Sequence, residues 1–266
     1  MISEAHCIDC LDFMKQQPDK RFDLVVADPP YGDPNNIIGG GYDSEGGSRG
    51  ISWNRLAGGR RTRYYHQEYP PPTTENGWNR FQGGTWAERY RRPEAGVASA
   101  PTWDVAPRQE FFDELFRVGK NVIVWGGNYF SLPPTRCFLV WRKTNIGENF
   151  SMAMCEYAWT NFKGNAKLFN HTSLRDEHSG KFHPTEKPLS LYQWIYRMFA
   201  KPGDLIFDPM MGSQASRVAA YMMGLDYVGC EIDRYYFDKG QKYFERECHG
   251  IVEDGQGNAK KQLRLF

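Results

Sequence analysis

The chain has 266 residues, 40% of them hydrophobic, with 33 Lys+Arg against 32 Asp+Glu and a formal net charge of +1. That length fits one large domain or one domain carrying an insertion, and the apolar content suffices for a packed core, so wholesale disorder is excluded. No run of about 18 apolar residues occurs, so no spanning helix is expected.

Met1 to His6 carries neither a basic patch nor an apolar stretch, so no secretion signal is read and a soluble, cytoplasmic protein is the expectation. Six cysteines stand at positions 7, 10, 137, 155, 230 and 248, four of them in or beside apolar runs where a reduced thiol is ordinary. Cys7 and Cys10 form a C-x-x-C with no second pair to complete a tetrahedral site, and no metal is assigned.

Met1 to Tyr31 reads as strand, helix, strand: a short start, an amphipathic Cys10 to Lys15, then Phe22 to Ala27. The last is a continuous apolar run, as expected of a strand covered on both faces. The stretch 33–107 differs in texture. It holds 12 of the 27 glycines, 7 of the 16 prolines, nine arginines and no lysine, and glycine pairs break every regular pattern. Aromatics such as Trp53, Tyr64, Tyr65 and Trp86 punctuate it, which argues for a functional insertion over a mere linker.

Beyond Pro107 the alternation resumes. Gln109 to Val118 has helical apolar spacing, and Asn121 to Gly126, Cys137 to Trp141 and Cys155 to Thr160 read as strands. Leu189 to Phe199 is helical. Leu205 to Asp208 is a strand, Ser213 to Met223 a helix, Asp226 to Glu231 a strand and Tyr235 to Glu247 a helix. Strands alternating with helices imply an α/β fold, a mostly parallel sheet with helices on both faces. The expected organisation is one domain over 1–266, with the 33–107 insertion, a short basic segment at 163–182 and a polar, frayed tail at 250–266.

In open α/β sheets, ligands bind beyond the carboxyl ends of the strands. Three strand endings stand out there. Asp28-Pro29-Pro30-Tyr31 follows Phe22 to Ala27. Its two prolines fix the backbone and leave carbonyls without nearby amide competitors, so a carboxylate, a rigid carbonyl and an aromatic face can meet one amino-bearing ring. Asp208-Pro209-Met210-Met211-Gly212-Ser213 runs from a strand through a tight turn into a helix, where glycine lets a ligand approach the backbone. It is not G-x-G-x-x-G, which disfavours a nicotinamide dinucleotide. Glu231, with Asp233, ends the next strand, where an acid commonly accepts ribose hydroxyls.

Asp28 to Tyr31, then His183-Pro184-Thr185-Glu186-Lys187-Pro188, then Asp208 to Ser213 resemble, in that order, the S-adenosylmethionine-dependent DNA amino-methyltransferases of the permuted β group. The resemblance covers about 1–31 and 108–246 and includes Ile8-Asp9-Cys10 and Trp125-Gly126-Gly127-Asn128-Tyr129-Phe130. It implies a Rossmann-like, circularly permuted fold with a mixed, mostly parallel seven-stranded sheet. Such chains begin mid-sheet, so the last strand–helix unit is expected beside the first strand.

By the same resemblance, Asp28, Pro29, Pro30 and Tyr31 would hold the target base. Asp208, Pro209, Met210, Gly212 and Ser213 would line the methionine end of the cofactor, Glu231 and Asp233 the ribose, and Asp9 and Cys10 the adenine. His183, Pro184, Thr185 and Lys187 would close over the methionine moiety. Two departures stand out: Met210 where the family usually has Phe, and Gln214 where it has a second Gly.

The implied activity is methylation of the 6-amino group of adenine in double-stranded DNA, with the base flipped out at a cost of a few kcal/mol. D-P-P-Y leans toward adenine over cytosine within the family. N4-cytosine methylation, an RNA substrate and a DNA-binding module without cofactor are the alternatives. Arg49, Arg55, Arg60, Arg61 and Arg63 in the insertion, with Lys167 and Arg175 in the shorter segment, are the candidate DNA contacts. A homodimer, a cognate restriction endonuclease, no membrane partner and a bacterial or phage source complete the expectation.

Overall fold

The computed structural model describes residues 1–31, 105–147, 153–173, 182–183, 185–253 and 259–261. The 33–107 insertion, apart from its last three residues, lies outside them, with Arg49, Arg55, Arg60, Arg61 and Arg63. Arg175 and Pro184 lie outside them too.

Among the described residues, eight strands form the main sheet: β1 (Ser3–His6), β2 (Phe22–Ala27), β3 (Gly119–Trp125), β4 (Leu139–Lys143), β5 (Cys155–Thr160), β6 (Lys167–His171), β7 (Leu205–Asp208) and β8 (Asp226–Cys230). Their order is β1-β8-β7-β2-β3-β5-β4-β6. The first five in that row are parallel to one another, and β5 runs antiparallel to both β3 and β4. The sheet thus has one strand more than expected, because Lys167 to His171 pairs in parallel with β4. The sequence pattern there gives only a short basic segment.

The last strand–helix unit does pack beside the first strand, with Ser3 opposite Tyr227 and His6 opposite Cys230. β1 itself lies at the edge of the sheet, a correction to the expectation of a chain that begins mid-sheet. Each element starts or ends within about two or three residues of its expected bounds, the usual fraying of helix and strand ends.

Alternation along the strands divides the core. Leu24, Val26, Ile123, Trp125 and Ile206 face one way, against Leu191 and Ile195 of α3 (Leu189–Phe199), Val218 of α4 (Ala215–Met222) and Tyr243 of α5 (Arg234–Phe244). Val25, Ala27, Val122, Val124 and Phe207 face the other way, against Phe13 and Met14 of α1 (Cys10–Lys15) and Phe112, Leu115 and Val118 of α2 (Gln109–Val118). Side chains on successive strand residues point to opposite faces, so a strand buried on both sides needs an unbroken apolar run. Burying each such side chain contributes about 1.5–3 kcal/mol.

After a π-helical turn at Glu245–His249, β9 (Ile251–Glu253) pairs antiparallel with β10 (Ala259–Lys261). Backbone hydrogen bonding, to which polar side chains are no obstacle, joins these two short strands.

Candidate active site

β2 and β7 are parallel neighbours, with Val25 opposite Phe207, so the residues after Ala27 and at Asp208 emerge at the same end of the sheet. Asp28 leaves β2 between β7 and β3. Its side chain is 15% exposed, and its Oδ1 accepts from the Tyr31 hydroxyl at 3.3 Å. The Tyr31 ring lies over Gly126, at the end of β3. That residue has φ +64°, and a Cβ there would stand 2.0 Å from Tyr31 Cε1. A glycine is required on both counts, for the left-handed backbone and for the space. Tyr129, 46% exposed, meets Tyr31 with ring centroids 4.7 Å apart, and Phe130 lies at 6.3 Å.

Lys187, which the resemblance assigns to the methionine moiety, has its Nζ paired to Asp28 Oδ2. The same ammonium is 3.2 Å from Glu156 Oε2 and 5.3 Å from the centroid of the Trp125 ring. Lys143 Nζ holds the other Glu156 oxygen at 2.7 Å. Burial penalises the Lys187 ammonium, but Asp28 and Glu156 together outweigh it and raise its pKa. Burial likewise works against the Glu156 carboxylate, yet Lys187 and Lys143 bring its pKa down to about 2. At Asp28 burial prevails over Lys187 and the pKa lies above the ordinary carboxylate range.

The second cluster is built around the turn after β7. Asp208 is buried, accepting from the Met210 amide at 3.1 Å and from Ser216 Oγ at 2.5 Å, and Ser216 in turn meets the Tyr227 hydroxyl at 2.9 Å. Gly212 turns with φ +51°, its amide donating to Glu231 Oε2 at 2.9 Å, while the Asp233 amide donates to Oε1 at 2.8 Å. Burial raises both carboxyls to about 7. These hydrogen bonds stabilise the ionised forms but do not offset the loss of water.

The segment before α3 touches both clusters. The buried His183 ring packs on Tyr236 at 4.4 Å and would lie 3.2 Å from a Cβ at Gly212, while Lys187, four residues on, holds Asp28. Burial, then the charge of Lys187, lower the His183 pKa to about 3, which keeps the ring neutral. Thr185 Oγ1 is 3.3 Å from His183 Nδ1.

Asp9 and Asp233 serve as N-caps: Asp9 accepts from the Leu11 and Asp12 amides, Asp233 from those of Tyr235 and Tyr236. Burial, then the charge of Asp9, push the Cys10 thiol up to about 12. Pro209 and Ser213 are buried in the turn, and Met210 packs against the α1–α2 side of the core. Lys167, on the edge strand β6, is not brought to either cluster: it stands three strands from β3, about 14 Å across the sheet at the usual strand spacing.

Gln214 takes the left-handed conformation, φ +63°, that a glycine adopts freely; the strain is of order 1–3 kcal/mol. Its side chain turns toward α5, donating to the Phe237 carbonyl at 3.2 Å and accepting from Arg217 at 2.9 Å. These bonds hold the strained residue in place.

Sequence reasoning missed Glu156 and Lys143. A signal existed for the first: a single acid inside the apolar strand Cys155-Glu156-Tyr157-Ala158-Trp159. A buried acid needs a partner.

The DNA methylase family matches residues 124–242. The chain is 22% identical to a type II methyltransferase, M.HinfI of Haemophilus influenzae, over 88% of its own length and 66% of that protein's, so it spans just under two thirds of this relative. It is also 22% identical to a type II methyltransferase, M2.DpnII of Streptococcus pneumoniae, over 90% of its length and 88% of that protein's. Among solved structures it resembles the PvuII DNA methyltransferase (cytosine-N4-specific) in fold, with a TM-score of 0.51, 12% identity and 94% of each chain covered. The ordered motifs and the two clusters at one end of the sheet accompany this likeness: over residues 124–242 the chain is similar to the DNA methylase family.

Proposed function

We propose that this chain transfers a methyl group from S-adenosylmethionine to the N6 amino group of an adenine flipped out of duplex DNA. One observation carries the reading: the His183 to Lys187 segment rests on Gly212 at one end and on Asp28 at the other, joining two clusters remote in sequence.

The residues of the second cluster fit the cofactor. At Gly212 a side chain would press on His183, so the bend keeps a bare backbone. Asp208 and Glu231 offer carboxylate acceptors for an ammonium and for ribose hydroxyls, with Pro209, Met210 and Ser213 as the wall and Asp9, Cys10 and Asp233 at the adenosine end. When bound, S-adenosylmethionine supplies an electrophilic methyl group on a sulfonium. Thr185 and His183 close the turn from above.

On the other side the chain handles a weak nucleophile. An adenine amine is delocalised into its ring. Asp28 and the Pro29 carbonyl accept its two hydrogens, which localises the lone pair and fixes its direction, while Pro30 keeps the loop rigid. Positive charge grows on the nitrogen as the bond forms, and the Asp28 carboxylate stabilises it. Stacking on Tyr31 returns about 1–3 kcal/mol of the cost of flipping. Arg49, Arg55, Arg60, Arg61, Arg63, Lys167 and Arg175 are proposed to contact DNA on the strength of their charge alone. A homodimer and a cognate restriction endonuclease are the proposed partners.

Incubating the chain with labelled cofactor and duplex DNA, then separating the nucleosides, tests the reading. Label in N6-methyladenine is expected. Label in N4-methylcytosine would move the activity to the family's other base, label in RNA alone would replace the substrate, and a chain that binds no cofactor would refute catalysis altogether.

A further inference from the structure

Lys187 occupies the oxygen that the proposed reaction needs. Of the two Asp28 oxygens, Oδ1 accepts from Tyr31 and Oδ2 is paired with the ammonium. A base amine reaching Asp28 therefore competes with the Lys187 ammonium, which is seated beside Trp125 on a side chain only 4% exposed. Something must draw that cation aside without sending it into water.

Glu156 is placed to do so. Its Oε2 already lies 3.2 Å from Lys187 Nζ, and its Oε1 is anchored at 2.7 Å by Lys143. Both anchors are strand residues: Glu156 sits in β5 opposite Trp141, and Lys143 ends β4. Lys187, by contrast, precedes α3 in a segment without regular structure, with Pro188 as the cap of that helix. Of the two groups, the lysine is the one free to shift. Its ammonium has three donors and can pass from one carboxylate to the other without losing a charged partner.

We propose that Glu156 is a positioning residue that draws Lys187 off Asp28, releasing the Asp28 carboxylate to the amino group of the target base. The role rests on the proposed methyl transfer. It predicts opposite consequences for changes at Glu156 and at Lys143. Without the Glu156 charge, Asp28 is the only carboxylate left to the ammonium among the described residues, and the grip tightens. Without Lys143, Lys187 is the one cation left on Glu156 among the described residues, and the grip on Asp28 loosens.

The test compares single-turnover methyl transfer in the full chain for wild type, Glu156→Gln, Glu156→Asp and Lys143→Met, with cofactor affinity and thermal melting measured on each. Glu156→Gln is expected to lower the transfer rate about tenfold to a hundredfold, the range seen when an outer partner that orients an inner group is removed. Cofactor affinity stays as in wild type. Glu156→Asp recovers part of the loss, and Lys143→Met moves the rate upward. A folded Glu156→Gln chain that transfers at the wild-type rate would overturn the proposal while leaving methyl transfer standing. Equal losses in Glu156→Gln and Lys143→Met would overturn it too, since they mark a packing role. Should Glu156→Gln fail to fold, the directions of the other two variants decide. A wild-type chain that transfers nothing would sink the reaction and this role together.

Discussion

The turn at Asp208–Ser213 and the loop at Asp28–Tyr31 both leave the carboxyl ends of parallel strands, yet they treat their carboxylates in opposite ways. Around the turn, Asp208 and Glu231 are met by backbone amides and a hydroxyl, and burial holds both near a pKa of about 7. Around the loop, two acids meet two lysines, and at least Glu156 and Lys187 keep their charges over the whole ordinary pH range. Amide dipoles suit a site that takes up a cationic ligand, because they fix the carboxylates without cancelling them. Full ion pairs suit a site that must aim one carboxylate at a neutral amine.

The hardest blow to this contrast is Asp28→Ala, which removes the acceptor of the proposed amine. Transfer is expected to fall about 10²–10³-fold, the scale of one lost transition-state partner, with cofactor affinity unchanged in a binding titration. Next come two glycines, one on each side. Gly126→Ala and Gly212→Ala each incur about 1–2 kcal/mol of left-handed strain, measurable by denaturant unfolding. They should part company in binding. Gly126→Ala displaces the Tyr31 ring and weakens DNA binding, whereas Gly212→Ala pushes on His183 and weakens cofactor binding. Both changes acting on the same ligand would erase the distinction between the sides.

The pH dependence is a smaller effect. Asp208 has an ordinary pKa of 3.8 and a folded value of about 7, so the native state binds more protons than the unfolded chain between those values. Its contribution to stability therefore falls as pH rises from about 4 to about 7 and is level above that. Asp208→Asn should gain on wild type across that window in unfolding experiments. A constant difference between the two would show that burial does not govern this group. The smallest effect expected is at Asp9, where Asp9→Ala should cost about 1 kcal/mol as a lost helix cap and Asp9→Asn much less.

The apolar runs of β2, β3 and β7 were legible because strands covered on both faces admit few other residues. For the same reason, so were the strand endings that carry Asp28, Asp208 and Glu231. What escaped notice depends on pairing across the sheet. Glu156 and Lys143 come together only because β5 returns antiparallel between β3 and β4, a register that no local pattern encodes. The resemblance ties Lys187 to the cofactor, while its pairing with Asp28 depends on the path of the segment before α3, which the sequence does not spell out. Gln214 shows the converse: a residue that breaks a glycine pattern keeps the glycine's backbone and finds partners in α5 and Arg217.

The central claim is that the two sides share one pocket. It is tested most directly by calorimetric titration with a bisubstrate compound, adenosine joined through its N6 nitrogen by a short tether to the methionine end of the cofactor skeleton. Binding tighter than either half alone, weakened by Gly126→Ala and by Gly212→Ala alike, is the expected result. A compound that binds no better than its cofactor half and ignores Gly126→Ala would contradict it.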